Sequence, residues 1–256
     1  MPLYNQNGST KTVSASTTVT FAANEIAGPG VMRYLLFLTT STVADISRVR
    51  VKRDGVSLLD LPIDHLRSYI SRLSRSNRTI ATTDTSLEIP LSLIDGIGSE
   101  QEACQFGDGA PTVELVIPAG ATTGTVLIGW EMSELTPAFT PRNVSVQSNI
   151  GASSTNGRIP VNVQPDSVLR SITIPTGNLD RARLVLGGKQ MFDLEGTGLL
   201  AFAQADGGGM SDPATIVIDP TPAPVGSYLE ISTAAGWSTG DEISLGSLVP
   251  QTPANS

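Results

Sequence analysis

Apolar and polar residues alternate along this chain in short runs, broken at close intervals by turn-forming residues. Thr12 to Phe21 (TVSASTTVTF) is rich in β-branched residues and reads as a first strand. Val31 to Leu38 is nearly all apolar, the pattern of a strand buried on both faces or lying mid-sheet. Val49 and Val51 then alternate with Arg50 and Lys52, the period of two of a half-buried strand. Asp54-Gly55 is a hairpin turn, since such dipeptides reach positive φ at low cost. Further strands are expected at Leu87–Leu93, Val113–Ile117, Thr125–Met132, Thr215–Ile218, Tyr228–Ser232 and Glu242–Leu248. The period becomes helical at one place. Ile63, Leu66, Ile70 and Leu73 share a face, Asp60 can cap, Pro62 suits a first turn, and Asp64 suits the positive end of a helix. Arg67, Arg72 and Arg75 lie away from the apolar face, with Arg78 just beyond.

The pattern is written twice. Ile46–Leu61 (ISRVRVKRDGVSLLDL) aligns without a gap on Leu179–Leu194 (LDRARLVLGGKQMFDL) at an offset of 133 positions. Arg48, Arg50, Gly55, Asp60 and Leu61 recur as Arg181, Arg183, Gly188, Asp193 and Leu194, and Gly187-Gly188 supplies the second turn. Upstream, Val31–Phe37 is answered by Val168–Ile174 at an offset of 137. Downstream, Ala119–Gly124 is answered by Ala235–Gly240 at an offset of 116. Leu199–Ala205 is a shorter counterpart of the helix. So long a period is not a solenoid repeat but a duplicated domain of about 120 residues, an ordinary single-domain size.

The expectation is therefore an all-β chain of two tandem eight-stranded jelly rolls, each with a short helix after its fourth strand. Residues 1–10 read as a polar N-terminal arm, 11–135 as the first roll and 161–250 as the second, with a tail at 251–256. Residues 136–160 read as an extended linker or loop. They lie within a Pro-rich join, Ser133–Asp166, with one strand expected at each end, Val144–Gln147 and Ile159–Val163.

Composition agrees. Of 256 residues, 25 are Gly and 17 are Pro, as many turns require. The net charge of −8 argues against any general affinity for nucleic acid. The single cysteine, Cys104, excludes an internal disulfide. Met1–Ser9 lacks the basic start and apolar run of a secretion signal, and no stretch approaches a membrane span, so synthesis and folding in a cytoplasm are expected.

Candidate chemistry is sparse. Gly236-Trp237-Ser238-Thr239-Gly240 matches a nucleophile elbow, but the following residues alternate as a strand and the only histidine, His65, lies far upstream. A hairpin turn accounts for it. His65 alone cannot make a cupin-type metal site, which needs several imidazoles, and reads as a solvated or lightly bonded helix residue. Asp206, Gly207–Gly209 and Asp212 could wrap a hard cation, but no EF-hand spacing is present, and they read as a solvated loop. Glu131 with Glu134, or Asp241 with Glu242, could be offered as paired acids, with nothing to fix their separation. No catalytic, cofactor or metal site is assigned. Arg67, Arg72, Arg75 and Arg78 are the candidate contact patch for an anionic partner, either a neighbouring subunit or lipid headgroups.

The duplicated plan, the hairpin at 49–61 and the helix directly after it resemble the major capsid proteins of tailless icosahedral viruses with an internal membrane. This is the double jelly-roll lineage, and its corticovirus-like bacteriophage members are the most similar. The resemblance implies a non-enzymatic virion protein forming homotrimeric, pseudo-hexagonal capsomers of an icosahedral shell. It also implies penton and membrane-associated virion proteins as partners, and lipid headgroups of an inner membrane. A carbohydrate- or receptor-binding double β-sandwich, such as a virion spike, is the alternative. A jelly-roll amidase or glycosidase is a more distant one.

Overall fold

The computed structural model describes residues 3–6, 10–22, 24–26, 31–73, 80–90, 104–105, 111–133, 139–147, 155–177, 179–204, 212–233 and 241–250. In the first half the strands are β1 (Leu3–Gln6), β2 (Lys11–Val13), β3 (Thr18–Phe21), β4 (Val31–Thr39), β5 (Arg48–Arg53), β6 (Val56–Pro62), β7 (Ser86–Pro90), β8 (Cys104–Gln105), β9 (Pro111–Val116) and β10 (Gly124–Ser133). Helix α1 (Ile63–Leu73) follows β6 directly. In the second half they are β11 (Phe139–Gln147), β12 (Asn156–Pro160), β13 (Val168–Ile174), β14 (Leu179–Leu186), β15 (Lys189–Glu195), β16 (Ala214–Pro222), β17 (Tyr228–Thr233) and β18 (Glu242–Pro250), with α2 (Gly196–Gln204) after β15.

Strand pairing makes each half a jelly roll of the same plan. The first half pairs as β2-β10-β4-β7 facing β3-β9-β5-β6. The second pairs as β11-β18-β13-β16 facing β12-β17-β14-β15. Each strand of the first roll has its counterpart at the same place in the second. Two buried clusters fill the sandwiches, one around Phe21, Leu35, Phe37, Val49, Val51 and Leu115, the other around Leu169, Ile172, Ala182, Leu184, Leu229 and Ile231. Each of these Val, Leu, Ile and Phe side chains contributes about 1.5–3 kcal/mol by leaving water, and the single methyl of Ala182 less.

The repeated hairpins match in detail. Val49 and Val51 are fully buried, as are Ala182 and Leu184 at the aligned positions. Both hairpins carry a register shift at the same aligned step, Val51/Lys52 and Leu184/Val185. Both turns have two successive residues at positive φ, Asp54 (49°) with Gly55 (80°) and Gly187 (56°) with Gly188 (82°). That is the turn whose twist suits a two-residue hairpin.

Several expectations are corrected. The stretch 12–21 is two strands: the chain turns at Ser16 (φ 58°), so that β2 joins β10 and β3 joins β9 in the opposing sheet. A strand that leaves one layer for the other must break its ladder at the corner. Counted from β2, the helix thus follows the fifth strand of each roll. The arm contributes β1, which lies end to end with β2 along the outer edge of β10. Residues 136–160 are not mainly linker, since β11 and β12 belong to the second roll. β11 pairs with β18 over nine residues, while its other edge pairs, among the described residues, with β6 alone, in parallel, at Asn143↔Leu59 and Val144↔Asp60. Proline is tolerated on such a sparsely paired edge, so Pro141 breaks nothing. Through that contact one sheet runs across both rolls, in the order β16-β13-β18-β11-β6-β5-β9-β3.

Candidate functional site: the seam between the rolls

The seam is built from β5, β6 and α1 of the first roll against β11, β13, β16 and β18 of the second. Arg48 stands on the outward face of β5, because Val49 and Val51 claim the inward one. Its guanidinium donates to Asp60 Oδ1 at 2.6 Å on its own hairpin. It also reaches across to Glu242, at 2.6 Å to each carboxylate oxygen, and to Ser145 Oγ at 2.9 Å. Burial opposes the Arg48 charge, but the hydrogen bonds to Asp60 and Glu242 more than offset it and hold the pKa above the usual arginine value. Arg50 and Lys52 continue the row, with Lys52 at 2.7 Å from Glu114.

Helix α1 fills the rest of the seam. Leu66 and Ile70 pack into the first core. The opposite side carries His65, Ser68 and Ser71, all buried. His65 Nδ1 lies 2.6 Å from Ser244 Oγ on β18. Ser68 Oγ lies 2.7 Å from Thr215 Oγ1 on β16, which is 2.9 Å from Thr173 Oγ1 on β13. The helix is thus clamped between an apolar core and a wall of hydroxyls. Burial pushes the His65 pKa down to about 4, so the imidazole is neutral. Of the expectation that His65 is solvated or lightly bonded, the solvated half is corrected: its helix is covered by the second roll, which no local pattern announces, and the ring is bonded to Ser244. A cleft of about 540 Å³ opens at the end of the seam, lined by Arg48, Asp64, His65, Asp212 and Glu242.

Arg67 donates to the Ile80 carbonyl at 2.7 Å and to Asp64 at 3.0 Å, with only 12% of its side chain exposed. It is committed inside the chain, so the expected patch does not include it as a free cation. Arg72 lies half-buried in the last turn of α1, and Arg75 and Arg78 lie outside the described residues. So do Gly236–Gly240, Glu134 and residues 206–211; the side chains of Glu131 and Cys104 are likewise outside the description. Asp212 accepts from Thr176 N at 2.8 Å. Among the described residues no group of three His, Cys, Asp or Glu is placed to hold a metal ion, and no helix is long and apolar enough to cross a membrane. What the geometry can do is join β-sandwiches edge to edge.

No protein-family profile matches the chain, and no curated protein matches it by sequence. Solved structures match it along its length. The major capsid protein of bacteriophage PM2 superposes with a TM-score of 0.75 at 13% identity, covering 99% of each chain. The major capsid protein of STIV gives 0.69 at 11% identity, covering 98% of this chain and 97% of that one. A chain of the PBCV-1 virus capsid gives 0.55 at 10% identity, with 97% and 92% covered. The fold is the double jelly roll of these capsid proteins.

Proposed function

We propose that this chain is a structural virion protein, the major capsid subunit of an icosahedral shell around an internal membrane. Its capsomer is a homotrimer in which three chains present six rolls to a hexagonal lattice position. The observation that carries this reading is the duplication: two rolls of one strand order stand side by side in one chain. Duplication lets a threefold assembly imitate a sixfold one. The seam supports a structural role over a catalytic one, since Glu242 is bound by Arg48 and His65 is buried and hydrogen-bonded to Ser244. Trp130 is buried, so it offers no platform for a sugar. Partners are other copies of the chain, penton and membrane-associated virion proteins, and lipid headgroups met through Arg72, Arg75 and Arg78. The protein resides in the virion after synthesis in a host cytoplasm.

Native mass measurement of the purified protein tests this, with three chains expected at micromolar concentration. Negative-stain micrographs of the same sample should show hexagonal outlines. A strict monomer would sink the reading.

A further inference from the structure

The two rolls share a plan but not an environment. In the first roll the hairpin–helix surface is covered: β6 has β11 along its edge and α1 has the second roll over its outer side. In the second roll no described residue covers the equivalent surface. β15 ends its sheet with no strand beyond it among the described residues. The aligned positions show what this does to burial. Leu59 and Leu61 are buried, whereas Phe192 and Leu194 are half-exposed. Ser68 and Tyr69 are buried in α1, whereas Ala201 and Phe202 of α2 are exposed, Phe202 at 53%.

In the other roll no described residue covers the complementary surface. The face that covers α1 lies on β13, β16 and β18, where Thr173, Thr215 and Ser244 are buried beneath it. The matching face of the first roll lies on β4, β7 and β10. There Leu36 (aligned with Thr173) and Leu127 (aligned with Glu242) are half-exposed, and Leu38 is 47% exposed. The chemistry changes on both sides together. Inside the chain a Ser/His helix face meets hydroxyls. The uncovered helix face is Ala/Phe, and the uncovered sheet face is leucine.

We propose that the β15–α2 surface of one copy docks on the β1–β10–β4 surface of a second copy, repeating between chains the contact that joins the rolls within one. This rests on the trimeric reading above and names the surfaces that make it. The register follows from the pairings. Leu35 aligns with Ile172, and these pair with Trp130 and Leu245. Trp130 pairs with Asn5, and Leu245 with Val144. Val144 pairs in parallel with Asp60, which aligns with Asp193. Asn5 of one copy therefore lies opposite Asp193 of the next, with Tyr4 opposite Phe192. The contact is heterologous, and a ring closes it. Phe202 and Leu38, two of the four large apolar side chains most exposed among the described residues, are covered by it.

The test uses the full chain. Phe202→Glu and Leu38→Glu, each on an exposed site, should both keep the far-UV spectrum and weaken self-association at least about tenfold. Each variant retains one intact half of a head-to-tail contact, so an equimolar mixture should give a heterodimer that neither forms alone. In a Cys104→Ser background, Asn5→Cys combined with Asp193→Cys should oxidise to covalently linked trimers, since directly opposed Cα atoms fall within disulfide reach. If the wild type is trimeric but both charge variants stay trimeric and no crosslink forms, other surfaces make the trimer and the inference is overturned. If the wild type is monomeric, the capsomer reading falls as well.

Discussion

The duplication supplies its own control for the most informative perturbation, removal of Arg48. Arg48→Met keeps the aliphatic stem and deletes the charge that spans the seam. Two carboxylates then lose a partner, Glu242 at 14% exposure and Asp60 at 27%. Asp60 keeps Arg50 at 3.3 Å, so the loss falls mainly on Glu242. Two charges about 4 Å apart attract by about 4 kcal/mol at an effective dielectric of 20, and relief of the arginine's own desolvation returns part of that. A net cost of about 2–3 kcal/mol follows. In a chain of this size, each kcal/mol lowers Tm by about 2–4 °C, giving a fall of about 4–12 °C. The matched substitution is Arg181→Met. Arg181 sits at the aligned position and pairs with the aligned Asp193 at 2.5 Å, but its side chain is 54% exposed and, among the described residues, nothing from the other roll of the chain pairs with it. Its removal should leave Tm within about 1 °C. The assay is thermal unfolding of both variants at one protein concentration, with a double-mutant cycle on Arg48 and Glu242. Equal shifts for the two arginines, or no coupling between Arg48 and Glu242, would refute the claim that Arg48 locks the rolls together.

The buried imidazole makes the seam sensitive to acid. The folded pKa of His65, about 4, lies below the ordinary value of 6.5, so the unfolded chain binds the extra proton. Stability from this group is complete above pH 6.5 and is lost as pH falls towards 4, by about 2 kcal/mol at pH 5. Urea midpoints measured at pH 7 and pH 5 should separate accordingly, and His65→Gln should flatten that difference; an unchanged pH dependence in the variant would refute it. At the hairpin turns, a Cβ on Gly55 or Gly188 meets nothing within 4 Å, so only the positive φ resists it. Gly55→Ala and Gly188→Ala should each cost about 1–2 kcal/mol in chemical unfolding. Unequal costs would show that the two turns are not equivalent.

How much of this was legible beforehand depends on how far apart the interacting residues lie in the chain. The hairpins were visible because alternation, turn dipeptide and pairing all fall within sixteen residues. Val49, Val51 and Gly55 carry the same information in the sequence as in the fold. The duplication was visible because aligned positions keep their character, and it dictated two rolls of one plan. The roles of His65, Arg67 and Arg48 were not visible. His65 looks like a surface residue of a short helix until β18 brings Ser244 to it from 179 positions away. Arg67 looks free until the chain returns Ile80 to its guanidinium. The prolines of the join argued for a linker, and β11 is a strand because one of its edges needs almost no amide donors.

Local sequence therefore determined the strands, the turns and the fact of repetition, since each depends on backbone preference and on which face of a strand avoids water. Tertiary structure alone decided which copy of each repeated surface is buried. Arg48 and Arg181 are the same residue in the same motif. They differ because Glu242, at the edge of the other roll, stands within reach of only one of them.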